Sequence, residues 1–360
     1  MLIDQLDIYK FRNISQARAS LHKFNLILGP NGGGKTSVLE AIYFLSSCKS
    51  FRTTQINTLI QNQEQETIVR AASKSGNVGL QRLRNGKVSI RKDNNNVNKI
   101  SEITRLLPVH VVEPNSVSFV EGSPSERRKF LDFSMFHVEH LYLNTFKAFA
   151  NSLKQRNAIL RKGGSLSDLK YWNPIYIESA WSLNVLRKRL YDEVIEPGIS
   201  ATLEFLGEDL DVEFEYFDGC KSAQSQDEFL QFLEQSLEQD IKFKSTQLGP
   251  HRADIILKSK GKIAKDYLSR GQKKLLTYGV RLAPALMLNK RRDSSGIILI
   301  DDMPSELDKN SIIKVCSLLK EVSIQTALTA VDTESEQTKT IKEMLEPEMF
   351  HVEHGVLKNI

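Results

Sequence analysis

The stretch Gly29-Pro30-Asn31-Gly32-Gly33-Gly34-Lys35-Thr36-Ser37 constrains the fold more than any other part of this 360-residue chain. A Gly, four free positions and then Gly-Lys-Thr is the pattern of a loop that cradles phosphates. Its surroundings agree. Phe24 to Leu28 is short, apolar and β-capable, and Val38, Leu39, Ile42 and Leu45 recur afterwards at helical spacing, so the loop joins a strand to a helix. The glycines let successive backbone N–H groups converge, and the new helix adds its positive end. A triphosphate is the ligand such a cradle fits, with Lys35 on the β- and γ-phosphates and the Thr36 hydroxyl on Mg²⁺. A flexible turn would need neither the lysine nor the flanking strand and helix.

The rest of the composition is that of a globular protein of more than one domain, with 40% apolar and 26% charged residues. No apolar run reaches the ~18 residues of a membrane span, and Met1-Leu2-Ile3-Asp4 lacks the pattern of a signal peptide, so a cytoplasmic protein with no membrane association is expected. Cys48, Cys220 and Cys316 stand far apart, which suggests neither a disulfide framework nor a cysteine-rich zinc site. Net charge is +5, yet Arg82, Arg84, Lys87, Arg91 and Lys92 crowd one stretch without an acid. Such a stretch tracks a phosphate backbone or forms a solvated rim. Arg82, Arg84 and Arg91, with Arg127 and Arg128 further on, are the candidate contacts to such a backbone.

Leu2 to Tyr9 alternates as a half-buried strand, and three β segments after Ser50-Phe51-Arg52 include a hairpin through Asn85-Gly86. Val109 to Val112 reads as a buried strand. Beyond Pro114 the chain turns helical, entering at Ser123-Pro124-Ser125-Glu126, stopping at Gly163-Gly164 and restarting at Asn173-Pro174 up to Pro197-Gly198. The division expected is residues 1–114 and 244–360 as the two halves of a nucleotide-binding head, with 115–243 as a mainly helical arm.

The last third holds two more decisive stretches. Leu268-Ser269-Arg270-Gly271-Gln272 opens a helix and resembles the signature of ABC-type ATPases, with Arg270 in place of a Gly. In that class Ser269, Gly271 and Gln272 would face the γ-phosphate held by another protomer. Ile297 to Ile300 followed by Asp301-Asp302 is the Walker B arrangement: Asp301 joins Thr36 at Mg²⁺ and Asp302 stands where water attacks. Ser305-Glu306-Leu307-Asp308 matches the D-loop. Lys35, Asp301 and Asp302 are therefore the candidate catalytic residues. Most of the class has Glu where Asp302 stands, so slow hydrolysis is expected. The usual switch-loop His is absent, and Thr329 is the candidate for its contact.

The whole chain resembles the RecF recombination-mediator family. The resemblance rests on Phe11-Arg12-Asn13, the phosphate loop with Leu39-Glu40-Ala41-Ile42, Ser50-Phe51-Arg52, and Gly122-Ser123-Pro124 with Arg127-Arg128 and Phe130-Leu131-Asp132. It extends to Lys154-Gln155-Arg156-Asn157, Leu248-Gly249-Pro250-His251-Arg252, the signature and Asp301-Asp302. It implies an α/β P-loop NTPase of ABC/SMC head type with an inserted helical arm. It also implies ATP-dependent homodimerisation on double-stranded, gapped or junction DNA, and help to RecO and RecR in loading RecA. Repair, recombination, replication and the SOS response are the processes it points to.

The rival reading is the ATP-hydrolysing subunit of an ABC transporter. Its signature stands much closer to the phosphate loop than Ser269 does to Lys35, and the intervening arm shows no docking site for membrane helices. His251-Arg252 suits a catalytic or a structural role equally. Met-Phe-His-Val-Glu-His occurs twice, at Met135 to His140 and at Met349 to His354, first in a helical region and then in an apparent strand. Neither copy has the HExxH or cysteine pattern of a metal site. Codons able to encode the peptide form the palindrome TGTTCCACGTGGAACA, so selection on the DNA is one account of the repeat.

Overall fold

The computed structural model describes residues 2–113, 117–138, 142–163, 166–207, 210–291, 296–322 and 324–360. Strands β1 (Gln5–Phe11), β2 (Ile14–Ser20) and β3 (Phe24–Leu28) lead into the phosphate loop and helix α1 (Lys35–Ser47). Then follow β4 (Glu66–Ser73), β5 (Gly76–Leu83), β6 (Val88–Lys92), β7 (Asn95–Val97), α2 (Ile100–Leu106) and β8 (Val109–Val112). The helical stretch comprises α3 (Ser118–Glu121), α4 (Pro124–Val138), α5 (Tyr142–Lys162), α6 (Leu166–Leu190) and α7 (Glu196–Leu206). Next come β9 (Glu213–Phe217), α8 (Gln226–Gln235), α9 (Leu237–Phe243), β10 (Asp254–Ser259), β11 (Lys262–Ile263) and α10 (Ala264–Tyr267). The chain closes with α11 (Arg270–Arg291), β12 (Ile297–Ile300), α12 (Met303–Glu306), α13 (Lys309–Val322), β13 (Gln325–Ala330), α14 (Glu336–Leu345), β14 (Glu348–Glu353) and β15 (Val356–Asn359).

Two compact units form. The first holds residues 1–116, 198–210 and 270–360, and the second 117–197 and 211–269. In the first, one sheet runs β15-β14-β3-β13-β12-β8 and is parallel from β14 to β8. Strands β3, β12 and β13 are buried along their whole length; β12 accordingly reads as an unbroken apolar run and β3 nearly so, whereas β13 buries Gln325, Thr326 and Thr329 among its apolar residues. The other sheet, β2-β1-β4-β5-β6-β7, is antiparallel and carries the basic stretch. Helix α1 shares one core with both sheets and is buried on nearly every side, Lys35, Ser37 and Glu40 included. Register places Ala330 beside Leu28, and Ile300 between Leu328 and Val112, so the loops after β3, β12, β13 and β8 leave the same edge. Ligands of parallel sheets bind along such an edge.

In the second unit, α5 packs along α6, and buried ion pairs take the place of part of an apolar core. Arg156 meets Asp240 at 2.7 Å with both side chains fully buried, and bonds Thr246 at 2.7 Å and Asn173 at 3.0 Å. Arg187 grips Asp132 and the Pro250 carbonyl. The expected restart at Asn173-Pro174 is not there: α6 begins at Leu166 and carries Pro174 inside it, giving up one helix hydrogen bond. Pro197 does not end the helix either. A π turn at Tyr191–Ile195 supplies an extra residue just before it, and the chain stays helical straight into α7 with Pro197 as its second residue. Residues 244–269, read from the sequence as part of the head, cluster with the helical unit. Strand β10 pairs with β9, and Arg127 of α4 holds Asp254 of β10 at 2.6 Å, ties that are invisible in linear order.

Candidate functional site

Gly29, Gly32 and Gly34 adopt φ of 152°, 78° and 122°, the left-handed region that side chains avoid. The loop closes on itself through Gly33 N–H to the Pro30 carbonyl, 3.1 Å, and α1 begins at Lys35. Lys35 is 7% exposed as a residue, and its ammonium donates to the carbonyls of Gly29 and Pro30 at 2.8 and 3.1 Å. Burial lowers its pKa, opposed by Asp302 and Asp301. Two residues that the sequence offered only as part of a resemblance steady this loop. Asn13 donates to the Gly32 carbonyl at 3.2 Å and accepts from the Ser37 hydroxyl at 3.0 Å. Arg12, at φ 54°, makes a two-pronged pair with the fully buried Glu40, both bonds 2.8 Å.

The sheet brings the distant acids to the loop. The Thr36 hydroxyl lies 3.1 and 3.0 Å from the two carboxylate oxygens of Asp301. A hydroxyl and a carboxylate so close could supply two ligands to a hard divalent cation, with phosphates and water supplying the rest. Thr329 is fully buried; it donates to Asp301 at 2.6 Å and accepts from the Asp302 N–H at 2.8 Å. The expected switch-loop contact is therefore corrected: its hydroxyl is spent on orienting Asp301. Asp302 sits at φ 51°, with Ser305 donating to its carboxylate at 2.7 Å. Asp308 caps α13 through Ser311 N–H at 2.9 Å. Ser269, Arg270 and Gly271 are exposed at the start of α11, and Gln272 is half-buried. Glu113, which sequence reasoning passed over, follows β8 one residue beyond Val112, whose carbonyl accepts from Asp301 N–H. Burial pushes its pKa up to about 7, with Arg281 opposing and Asp301 assisting.

A cavity of about 1050 Å³ opens over the loop, at the upper end of small-ligand sites, ~300–1,000 Å³. Lys35, Thr36, Asp301 and Asp302 line one side, and Arg12, Arg52, Asn57, Gln61, Asn62 and Arg84 belong to the rest of its lining. The donor set fits a magnesium-bound nucleoside triphosphate: converging glycines, a buried ammonium, a hydroxyl and carboxylate pair, and a cationic wall.

The basic candidates separate. Arg91 is exposed on β6, while Arg82 and Arg84 are half-buried. Arg82 bonds Asn57, and Arg84 bonds the carbonyls of Glu64 and Gln61. Arg128 is half-buried against the Ala253 carbonyl. Arg127 is 9% exposed and spends its guanidinium on Asp254, Phe119 and Gly122, so its assignment to DNA is corrected to a structural cation.

The model of the RecF/RecN/SMC N terminal domain matches residues 2–357. A DNA replication and repair protein RecF of Pseudoalteromonas translucida (strain TAC 125) is 33% identical over 364 residues, 99% of each chain. The chain belongs to the RecF family. A RecF of Shewanella baltica (strain OS185) is 34% identical over 362 residues, 99% of this chain and 98% of the relative. Among solved structures, the recombination mediator protein RecF-ATP in the RecFOR pathway superposes with a TM-score of 0.84 at 24% identity, covering 99% of this chain and 97% of the other. The Smc head domain derived from Pyrococcus furiosus gives 0.56 at 15%, covering 99% and 95%. The RecF fold, an α/β P-loop head of the SMC kind, is the one expected from the motifs.

Proposed function

We propose that this RecF-family chain is an ATP-driven DNA switch in recombinational repair and replication-gap processing. The Thr36–Asp301 pair, closed to 3.0–3.1 Å beside Lys35, carries the reading, because hydroxyl, carboxylate and ammonium together are what a magnesium-bound triphosphate requires. Mg²⁺ held there with ATP supplies charge neutralisation on the β- and γ-oxygens. Lys35 exchanges two loop carbonyls for phosphate oxygens. Asp301 is kept in place by Thr329, and Asp302 takes the proton of the attacking water, slowly because its carboxylate is short. The exposed Ser269, with Gly271 and Gln272, completes the site of a second copy, so ATP is the glue of a homodimer that closes on duplex DNA and releases it on hydrolysis. Arg91, Arg82 and Arg84 support DNA contact from the antiparallel sheet. The relatives' names place them in DNA replication and repair, and the solved RecF is a recombination mediator of the RecFOR pathway. Partners of RecO and RecR type, and RecA loading through them, in the cytoplasm, follow from that kinship. A transporter subunit is not favoured by a family match of this extent.

Sedimentation with ATP, ADP or no nucleotide, with and without duplex DNA, tests the switch. Wild type should dimerise with ATP only, whereas Ser269→Arg should bind ATP and stay monomeric. An ATP-dependent dimer of Ser269→Arg would sink the shared-site reading.

A further inference from the structure

The motif GxxxxGK leaves position 33 free, yet this chain has glycine there, and its backbone needs none. Gly33 is absent from the residues at positive φ, so conformation does not demand it. Crowding asks for it instead, from the loop's own Pro30 carbonyl at 3.0 Å and, closer still, from the β14–β15 hairpin. A Cβ at Gly33 would stand 2.7 Å from the Val352 carbonyl oxygen, and one at Gly29 only 2.1 Å from it. Contacts under about 3 Å between a Cβ and a backbone oxygen force one of the two to move. Gly32 is the contrast: it has φ 78° and nothing within 4 Å, so there conformation alone asks for glycine.

The hairpin also grips the loop. Its turn, His354-Gly355, is left-handed at φ 47° and 77°, and Gly355 N–H donates to the Gly33 carbonyl at 3.0 Å. A trans peptide sets C=O and N–H on opposite sides, so fixing the Gly33 carbonyl aims the Gly34 N–H away from the hairpin. Gly34 lines the cavity. On its other flank the turn is locked in: a Cβ at Gly355 would meet the Asn13 carbonyl at 1.9 Å, and Asn13 itself bonds Gly32 and Ser37. Val352, fully buried and one residue beyond the His351–Leu28 pair of β14 and β3, completes the brace. The second copy of the repeated hexapeptide thus sets the Val352 carbonyl close against Gly29 and Gly33, a neighbourhood the sequence did not disclose.

We propose that the β14–β15 hairpin is the positioning element of the phosphate loop, with Gly33, Val352 and Gly355 as positioning residues that hold the Gly34 N–H for the phosphates. This rests on the reading of residues 29–37 as an ATP site, and Lys35→Ala checks that premise separately. Titration of full-length protein with a fluorescent ATP analogue should show binding to wild type and none to Lys35→Ala. Equal binding by these two removes the nucleotide reading itself. Gly33→Ala, which preserves the motif, should weaken ATP at least tenfold when measured well below that variant's own nucleotide-free melting midpoint. Wild-type affinity in Gly33→Ala overturns the brace. Should that variant not fold, amide exchange of the wild type decides: saturating ATP should slow exchange across residues 350–358, including Gly355 N–H, and unchanged exchange there overturns the proposal.

Discussion

Asp302 holds a backbone conformation, φ 51°, that costs most side chains of order 1 kcal/mol or more and that Asp and Asn bear best. At the end of the Walker B strand, the Ser305 hydroxyl anchors the carboxylate at 2.7 Å. Asp302→Asn keeps both the left-handed preference and the acceptor for Ser305 while removing the carboxylate proposed as the base. ATP hydrolysis should fall on the order of 100-fold or more, and retention on DNA with ATP should lengthen accordingly. Dissociation from DNA as fast as wild type, measured by stopped-flow chase, would remove Asp302 from that role. At this scale the sequence disclosed chemistry better than contact. The motifs predicted Lys35, Thr36 and Asp301 in one site, and the structure brings them together, whereas the Thr329 hydroxyl bonds Asp301 instead of pointing to a ligand. Whether a hydroxyl reaches a ligand or a neighbouring carboxylate depends on a strand register that no motif encodes.

Helix α4 shows the same limit for a whole element. Its cap and first turn were readable, since Pro124 and Glu126 fall where a helix start prefers them. Its arginines were not: Arg127 looked like a DNA contact because its partner Asp254 lies on β10, far along the chain. The two kinds of arginine differ in salt response. Arg91→Ala should lower the slope of log affinity against log salt by about 0.9, the counterion share of one phosphate contact. Arg127→Ala should leave that slope alone and instead cost ~3 kcal/mol of stability, because Asp254 loses its two-pronged partner. A reduced slope in Arg127→Ala, at salt concentrations where the variant is folded, would reverse the assignment made here from its burial.

Over the whole molecule, the head was legible because a phosphate loop, a signature and a Walker B strand occur in order, and strands that read as unbroken apolar runs are indeed buried on both faces. The unit boundaries were less so, since residues 244–269 join the helical unit through a strand pairing and an ion pair rather than through composition. The sheet order itself has a consequence in time. Strand β3, which delivers the phosphate loop, lies between β13 and β14, both made roughly three hundred residues later. At ~5–20 residues per second a ribosome leaves Phe24–Leu28 without its neighbours for tens of seconds. Nascent chains stalled before Gln325 has emerged should not be retained on immobilised ATP, whereas chains with Asn359 outside the tunnel should be; retention of the shorter ones would contradict this order. A growing polypeptide of this design carries an exposed, apolar strand for most of its synthesis, so its need for chaperone cover is written into the order of its strands.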